Sequence, residues 1–387
     1  MKRLAIVTTH PIQYNAPWFK MLKERGKVQP KVFYTWGEAV LQKKYDPGFN
    51  KTIEWDIPLL NGYEYSFPGN IAAEPGSHHF AGINNPGLIN EIEQWRPDAI
   101  LVIGWSFKSH LKLLRHFKGK RQLLFRGDST LLDEPAGFSF KKIARRILLK
   151  WIYHHVDKAL YVGTANKAYY LANGLREAQL IFAPHAVDNN RFGEGRKTSE
   201  KEVDEHAPGT ITFLFAGKFE HKKAPCLLLD AFLQIADTKA HLLLVGDGAL
   251  EEQLKTLVSG QPDSVRHRIR FLPFQNQGRM PAVYAMADVL VLPSNGPGET
   301  WGLSVNEAMA CGKAILVSDK CGCAADLVKD ADNGYTFKSG NTGDLVNKMK
   351  LLLANAEKPA IMGTRSLEII KDWRFEKICV AVEQCLK

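Results

Sequence analysis

Residues 293–312, PSNGPGETWGLSVNEAMACG, set two carboxylates around what should be the start of a helix. Pro293-Ser294 ends an apolar run, a glycine-rich loop follows, and helical spacing begins near Gly302. Glu299 falls in the loop and Glu307 inside the helix. A helix start presents unpaired N–H groups and the positive end of a dipole, which suits a phosphate. Carboxylates repel such an anion, so their use is to accept hydrogen bonds from hydroxyls on either side of it. The pattern fits a ligand built as sugar, diphosphate and ribose in sequence. The competing reading is a loop glutamate followed by a solvated helix glutamate.

A second constellation is FLFAGKFEHKKAPCLLLDAF (213–232), a strand and a glycine followed by Lys218, Lys222 and Lys223 ahead of a helix starting near Pro225. Lysines in a loop at the carboxyl end of a strand can neutralise phosphates; a solvated basic loop is the alternative. The order G-x-x-x-x-G-K-[ST] is absent, so this is not a Walker loop. VGDG (245–248) reads as a structural strand-end turn. Cys226, Cys311, Cys321, Cys323, Cys379 and Cys385 lack zinc spacing, so reduced thiols and no metal site are expected.

These loops need strands and helices to hold them. Runs rich in branched residues at 4–8, 31–34, 99–104, 122–126, 159–163 and 180–184, and again at 211–217, 241–248, 269–274, 288–294 and 314–319, alternate with helical patterns such as 225–237, 249–259, 303–311, 343–354 and 375–386. Near-continuous apolar strands flanked by helices imply parallel sheets covered on both faces. The expected fold class is α/β, with two doubly wound, Rossmann-like domains facing across a cleft. Their expected bounds are 1–186 and 187–372, with a helix at 373–387 returning to the first. The polar, charged stretch through 189–210 reads as a linker or surface loop.

In the first domain, His10 and Gln13 sit in the loop leaving the first strand, with Asn15 as an expected cap and Pro17 opening a helix. They belong to the cleft side, or else to a loop that hydrogen-bonds itself. Arg126 and Asp128 end another strand and either face ligand or form an internal salt bridge.

The chain has 387 residues, a net charge of +10 and 45% apolar residues, ordinary globular usage that excludes wholesale disorder. Residues 1–190 hold 26 Lys and Arg against 16 Asp and Glu, whereas 191–387 hold 25 of each. Between 108 and 150 there are 12 basic and 3 acidic side chains. Lys141, Lys142, Arg145, Arg146 and Lys150 form a polar stripe on a helical pattern, opposed by Ile143, Ile147, Leu148 and Trp151. Such a helix lies on an anionic membrane surface or is packed on the core with a solvated basic face. No run reaches the roughly 18 apolar residues of a spanning helix. The opening MKRLAIVTTHPIQY has four apolar residues before Thr8, against about 7–15 in a secretory signal, so a cytoplasmic protein is expected, peripheral on the membrane's inner face.

Taken together, the second-half segments resemble glycosyltransferase family 4, retaining enzymes of the GT-B fold. APHAVDNNRF (183–192) is similar to that family's Pro-x-Gly-Val-Asp segment, and AGKFEHKK to its Gly-Arg…Lys segment, with Lys218 in the Arg place and Lys223 in the Lys place. VGDG, RFLPF, the Glu299-x7-Glu307 pair, EAMACG, CGCAADLV (321–328) and NGYTF (333–337) follow in order. The sequence departs from the pattern at Lys218, at Pro273 and Ala186 where glycines are usual, and through the first domain. That domain has HPIQY (10–14) and Arg126-Gly127-Asp128, resembling a subgroup with such segments.

The resemblance implies transfer of a sugar, with retention, from a nucleotide diphosphate donor (UDP- or GDP-linked) to a hydroxyl of a lipid-linked or saccharide acceptor, in cell-envelope polysaccharide or glycolipid synthesis. It implies that Lys218, Lys223 and the amides near Gly302, Leu303 and Ser304 balance the departing diphosphate. Glu299 would hold hydroxyls of the transferred sugar and Glu307 the ribose, while backbone near Phe274 lines the base. No metal, no other cofactor and no nucleic acid are expected. A sugar-nucleotide epimerase of the same fold and a non-catalytic sugar-nucleotide-binding protein are the rival classes.

Overall fold

A computed structural model describes residues 1–38, 44–46, 51–53, 56–135, 137–199 and 209–387. They form two compact units. One comprises Met1–Lys44, Pro58–His185 and Phe375–Lys387, the other Tyr45–Ile57 and Ala186–Arg374.

The strands are β1 (Lys2–Thr8), β2 (Val28–Tyr34), β3 (Lys44–Asp46), β4 (Lys51–Ile53), β5 (Glu64–Ser66), β6 (Ala99–Ile103), β7 (Gln122–Arg126), β8 (Lys158–Tyr161) and β9 (Leu180–Phe182). The chain continues through β10 (Ile211–Ala216), β11 (Ala240–Val245), β12 (Ile269–Leu272), β13 (Val289–Leu292), β14 (Ala314–Ser318) and β15 (Gly334–Phe337). The first unit's sheet runs β5-β2-β1-β6-β7-β8-β9, the second unit's runs β12-β11-β10-β13-β14-β15, and β3 pairs with β4. Neighbours within the two large sheets are parallel. The expectation of two doubly wound parallel sheets holds.

Parallel strands must bury both faces, because their helical crossovers cover both. On β10, Phe213 and Phe215 enter one layer of core while Leu214, between them, is equally buried on the other side. Each fully buried side chain of this size contributes roughly 1.5–3 kcal/mol. The order reverses beside β1 in the first sheet and between β10 and β13 in the second. Loops leaving the carboxyl ends of strands at such a reversal splay apart and leave a crevice. In the second unit those two loops carry the lysines of 218–223 and Glu299.

Two local expectations are corrected, and one open alternative is decided. Asn189–Ser199 is a helix, where a linker was expected: Asp188 precedes it and its Oδ1 accepts the Arg191 N–H at 3.0 Å, a cap that outweighs the polar composition. Residues 200–208 of that stretch lie outside the described residues. Asn15 stands at the cap position of helix Ala16–Glu24 without capping it, since its Oδ1 accepts from Trp18 Nε1 at 3.3 Å; Pro17 does open the helix. Of the two readings of helix Phe140–Tyr153, the one that packs the residues opposite its basic stripe on the core does not hold. Leu149, Ile152 and Tyr153 pack there, and Ile143, Ile147, Leu148 and Trp151 are exposed.

Candidate active site

The loop after β10 is locked from below. Gly217 N–H donates to Val245 O at 3.0 Å, Phe219 N–H to Asp247 O at 3.0 Å, and Leu250 N–H to Phe219 O at 2.9 Å. These backbones approach so closely that a Cβ on Gly246 would lie 1.9 Å from Gly217 O. VGDG is thus a clamp on the lysine loop. The Asp247 carboxylate extends the clamp by accepting the Phe274 N–H at 3.0 Å. The amide of half-buried Phe274 is therefore committed within the protein.

Beyond Lys218, which is half-buried, a helical turn His221–Lys223 leads to Ala224 at φ 52°. A non-glycine residue in the left-handed region costs about 1–2 kcal/mol, a strain found where surrounding structure dictates the backbone. The turn aims Lys223 at Glu299. Lys223 Nζ lies 2.5 Å from Glu299 Oε2, with the side chains 20% and 8% exposed. Ser294 Oγ donates to the same oxygen at 2.8 Å. Ser318 Oγ in turn donates to Ser294 O, so the strand ends of β13 and β14 brace the pair. The Cys321 thiol is buried in this brace. Burial first, and then the Glu299 charge, push it up to about 12, so it stays a neutral thiol.

Helix Leu303–Ala310 starts at Gly302, whose φ of 102° only glycine adopts readily, and no side chain caps it. Leu303 and Ser304 are partly exposed there. Its first turn thus opens beside the Lys223–Glu299 pair, an arrangement able to hold an anion between backbone N–H groups and an ammonium. Inside the same helix Glu307 is buried, 3% exposed, and accepts from Tyr284 Oη at 2.8 Å. The solvated-glutamate alternative is excluded for it.

Tyr284 is a residue that sequence reasoning missed. It lies in helix Met280–Ala285, amid the apolar stretch MPAVYAMADV, and a tyrosine buried in such a setting needs a partner for its hydroxyl, which was the available signal. Phe192 packs against its ring at 6.0 Å between centroids. Arg191 donates to Gln277 O at 2.6 Å and to Gln277 Oε1 at 2.8 Å. The segment 183–192 thereby braces the Tyr284–Glu307 contact.

The first unit's candidates are placed differently. Arg126 is buried and donates to Ala183 O at 2.7 Å and Pro184 O at 3.0 Å, so its guanidinium is committed to the backbone; burial lowers it to about 10. Asp128 is half-exposed, with His185 Nε2 at 3.7 Å, and its charge acts on the Arg126 guanidinium. His10 Nδ1 lies 2.8 Å from Thr9 Oγ1 and its ring meets Trp36 edge-on at 5.2 Å; Gln13 is half-buried. The six cysteines are free thiols. Among the described residues no group of three His, Cys, Asp or Glu is placed to hold a metal ion.

The chain has relatives in sequence and in fold. Residues 196–368 match the family model for glycosyl transferases group 1. That segment covers β10 to β15 with both loops of the candidate site. D-inositol 3-phosphate glycosyltransferase of Geodermatophilus obscurus is 28% identical over 217 residues, 51% of this chain and 46% of that protein. Sulfoquinovosyl transferase SQD2 of Arabidopsis thaliana is 26% identical over 310 residues, 78% of this chain and 59% of that protein. Phosphatidyl-myo-inositol mannosyltransferase of Mycobacterium leprae is 33% identical over 188 residues, 48% of this chain and 44% of that protein. The chain spans about half the length of the curated relatives it matches. Among solved structures, Anabaena Alr3699/HepE in complex with UDP and glucose superposes with a TM-score of 0.69 at 17% identity over 99% of each chain. Sucrose-phosphate synthase from Thermosynechococcus elongatus does so with a TM-score of 0.70 at 18% identity, over 99% of this chain and 98% of that one. The fold is therefore GT-B, and the match to the group 1 model lies within its second unit.

Proposed function

We propose that the chain is a retaining glycosyltransferase that moves a sugar from a nucleotide diphosphate to an acceptor hydroxyl. The observation that carries the reading is the half-buried Lys223–Glu299 pair beside the uncapped start of helix Leu303–Ala310, at the strand reversal of the segment that matches the group 1 model. Lys218 and Lys223, with the amides of Gly302, Leu303 and Ser304, stabilise the negative charge that grows on the diphosphate as it leaves. Glu299, held by Lys223 and Ser294, accepts from hydroxyls of the sugar, and Glu307 accepts from the ribose. The base rests near the Phe274 carbonyl and ring. The bond from the anomeric carbon to the phosphate oxygen breaks and the acceptor oxygen bonds to the same face. The acceptor's proton passes to the departing phosphate, so no side-chain base is needed. The first unit supplies acceptor contacts, with His10 and Gln13 as the side chains to vary.

UDP is favoured as the carrier because Alr3699/HepE is described in complex with UDP-glucose, and GDP is the alternative. Relatives named for a phosphatidylinositol mannosyl transfer and a sulfoquinovosyl transfer favour a lipid-linked or saccharide acceptor at the inner face of the cell membrane, in envelope or glycolipid synthesis.

The test begins with thermal melts against a set of nucleotide sugars, since a bound donor raises stability by mass action. Turnover with the stabilising donor is then compared in Glu299→Gln and Lys223→Ala. Each should lose at least about tenfold, or about 1.4 kcal/mol of transition-state stabilisation, while remaining folded. Near-wild-type turnover in both overturns the assignment, and an epimer formed from donor alone overturns the transfer. Activity should also survive excess chelator, because the charges that balance the leaving group belong to the chain. Loss under chelator that magnesium or manganese restores would contradict this.

A further inference from the structure

Helix Phe140–Tyr153 has two apolar faces, and the core covers one of them. Leu149, Ile152 and Tyr153 belong to the first unit's core. Phe140, Ile143, Ile147 and Trp151 recur at i, i+3, i+7 and i+11, and at about 100° per residue they share the face turned away from it. They are 80%, 41%, 65% and 43% exposed. Leu148 borders them, and Phe138 on the approach to the helix stands edge-on to Phe140 at 5.2 Å between ring centroids. Single exposed apolar residues are ordinary; a contiguous face of large ones marks an interaction surface.

The charges around this face define the partner. The helix, FKKIARRILLKWIY, contains no acidic residue. Lys142 and Arg146 turn toward Glu134, at 3.1 and 3.4 Å. Lys141, Arg145 and Lys150 are exposed; at about 100° per residue Lys141 borders the apolar face on one side and Lys150 on the other, while Arg145 follows Lys141 on the side away from that face. Arg115 extends this rim, its guanidinium 5.6 Å above the Trp151 ring. A stripe of aromatic and aliphatic side chains with cations on both borders complements a surface that is apolar inside and anionic outside. The 14-residue helix is about 21 Å long, too short to cross a bilayer but suited to lie along one. Among the described residues no helix is long and apolar enough to cross a membrane.

We infer that this face docks on an anionic phospholipid bilayer, with the helix parallel to the surface. Phe138, Phe140, Ile143, Ile147 and Trp151 enter the boundary between headgroups and acyl chains, Lys141 and Lys150 meet lipid phosphates, and Arg145 adds to the positive charge of the helix. The inference rests on the first unit alone and is independent of the sugar-transfer reading.

The full chain is sedimented with vesicles of phosphatidylcholine, alone or with phosphatidylglycerol at about one-third, in about 0.1 M salt. Wild type should pellet with the anionic vesicles and bind the neutral ones at least about tenfold more weakly. Phe140→Ser/Ile147→Ser and Lys141→Gln/Arg145→Gln/Lys150→Gln should each lose about tenfold or more on the anionic vesicles, with unchanged circular dichroism and melting. Trp151→Phe should remove most of the fluorescence blue shift seen on vesicle addition. The proposal is overturned if wild type fails to pellet with anionic vesicles, or if the Phe140/Ile147 variant pellets as wild type does. It is equally overturned if the charge variant binds undiminished, if the blue shift survives in Trp151→Phe, or if the face proves to be covered by a second copy, seen as a dimer that Phe140→Ser/Ile147→Ser dissociates.

Discussion

Glu307 is one turn into a helix, a place where a glutamate ordinarily meets water, yet it is buried and held by the hydroxyl of Tyr284. Removing a hydrogen-bond donor from a buried carboxylate costs about 1–3 kcal/mol, because the acceptor keeps its desolvation penalty. Tyr284→Phe should therefore lower the unfolding free energy by that amount in a denaturant titration. If Glu307 receives the ribose, the same variant should raise KM for the donor several-fold with little change in kcat. An unchanged KM would separate Glu307 from donor binding. Lys223, Glu299 and Glu307 stood out in the sequence because charged residues at strand ends and helix starts are few and their chemistry is specific. Their partners did not stand out. Tyr284 becomes a partner only once two separate helices are packed together, and Ser294, though in the same loop as Glu299, only once that loop folds back on itself, while periodicity assigns a residue to a face without naming what lies opposite. Nor did the sequence show that Lys223 and Glu299 hold each other, 76 positions apart.

At the scale of elements, the loop carrying Glu299 is held in place by a glycine from another loop. Gly322 N–H donates to Glu299 O at 3.2 Å, and a Cβ on Gly322 would lie 1.8 Å from Thr300 O. Backbone against backbone cannot yield as a flexible side chain can. Gly322→Ala should destabilise the protein by roughly 3 kcal/mol or more in a denaturant titration. Gly298→Ala is the control: its φ is 96° but no atom lies within 4 Å of the added Cβ, so about 1–2 kcal/mol is expected. Equal losses would show that conformational strain, not close approach, governs the loop. The long apolar strands of both sheets were legible, since continuous branched runs have few other uses. β5 and β15 are short, and β3 and β4 are three-residue polar strands, KYD and KTI, with too few apolar side chains to leave a pattern. The helix Asn189–Ser199 was obscured by its glycines and charges, and Asp188 was its one local cue.

At the scale of the whole molecule, the first unit is closed by the helix Phe375–Cys385. Arg25 Nε lies 2.5 Å from Glu383 Oε1, Lys27 Nζ is 3.3 Å from Oε2, and Gln122 Nε2 donates to Cys385 O at 2.9 Å. The hydrogen bond from Arg25 holds the Glu383 carboxyl below its ordinary value of 4.5, and burial opposes this only in part. A lowered folded-state value means the unfolded chain binds the proton first. The contribution is complete above the unfolded value, near 4.5, and is lost as pH falls through the lower folded one. Melting temperatures of wild type and Glu383→Gln should differ at pH 7 and converge in acid. A constant difference down to pH 3 would remove the ion pair from the stability of this unit.

That closing helix also bears on how the protein is made. Residues 375–387 leave the ribosome after all of 186–374, so the second sheet can be complete while the first still lacks the helix that covers Ala16–Glu24. During that interval the buried surface around Trp18 and Phe19 waits for a segment not yet synthesised. The first unit therefore cannot close as its own strands emerge, and its folding awaits residues 375–385, which are made after the whole of the second sheet.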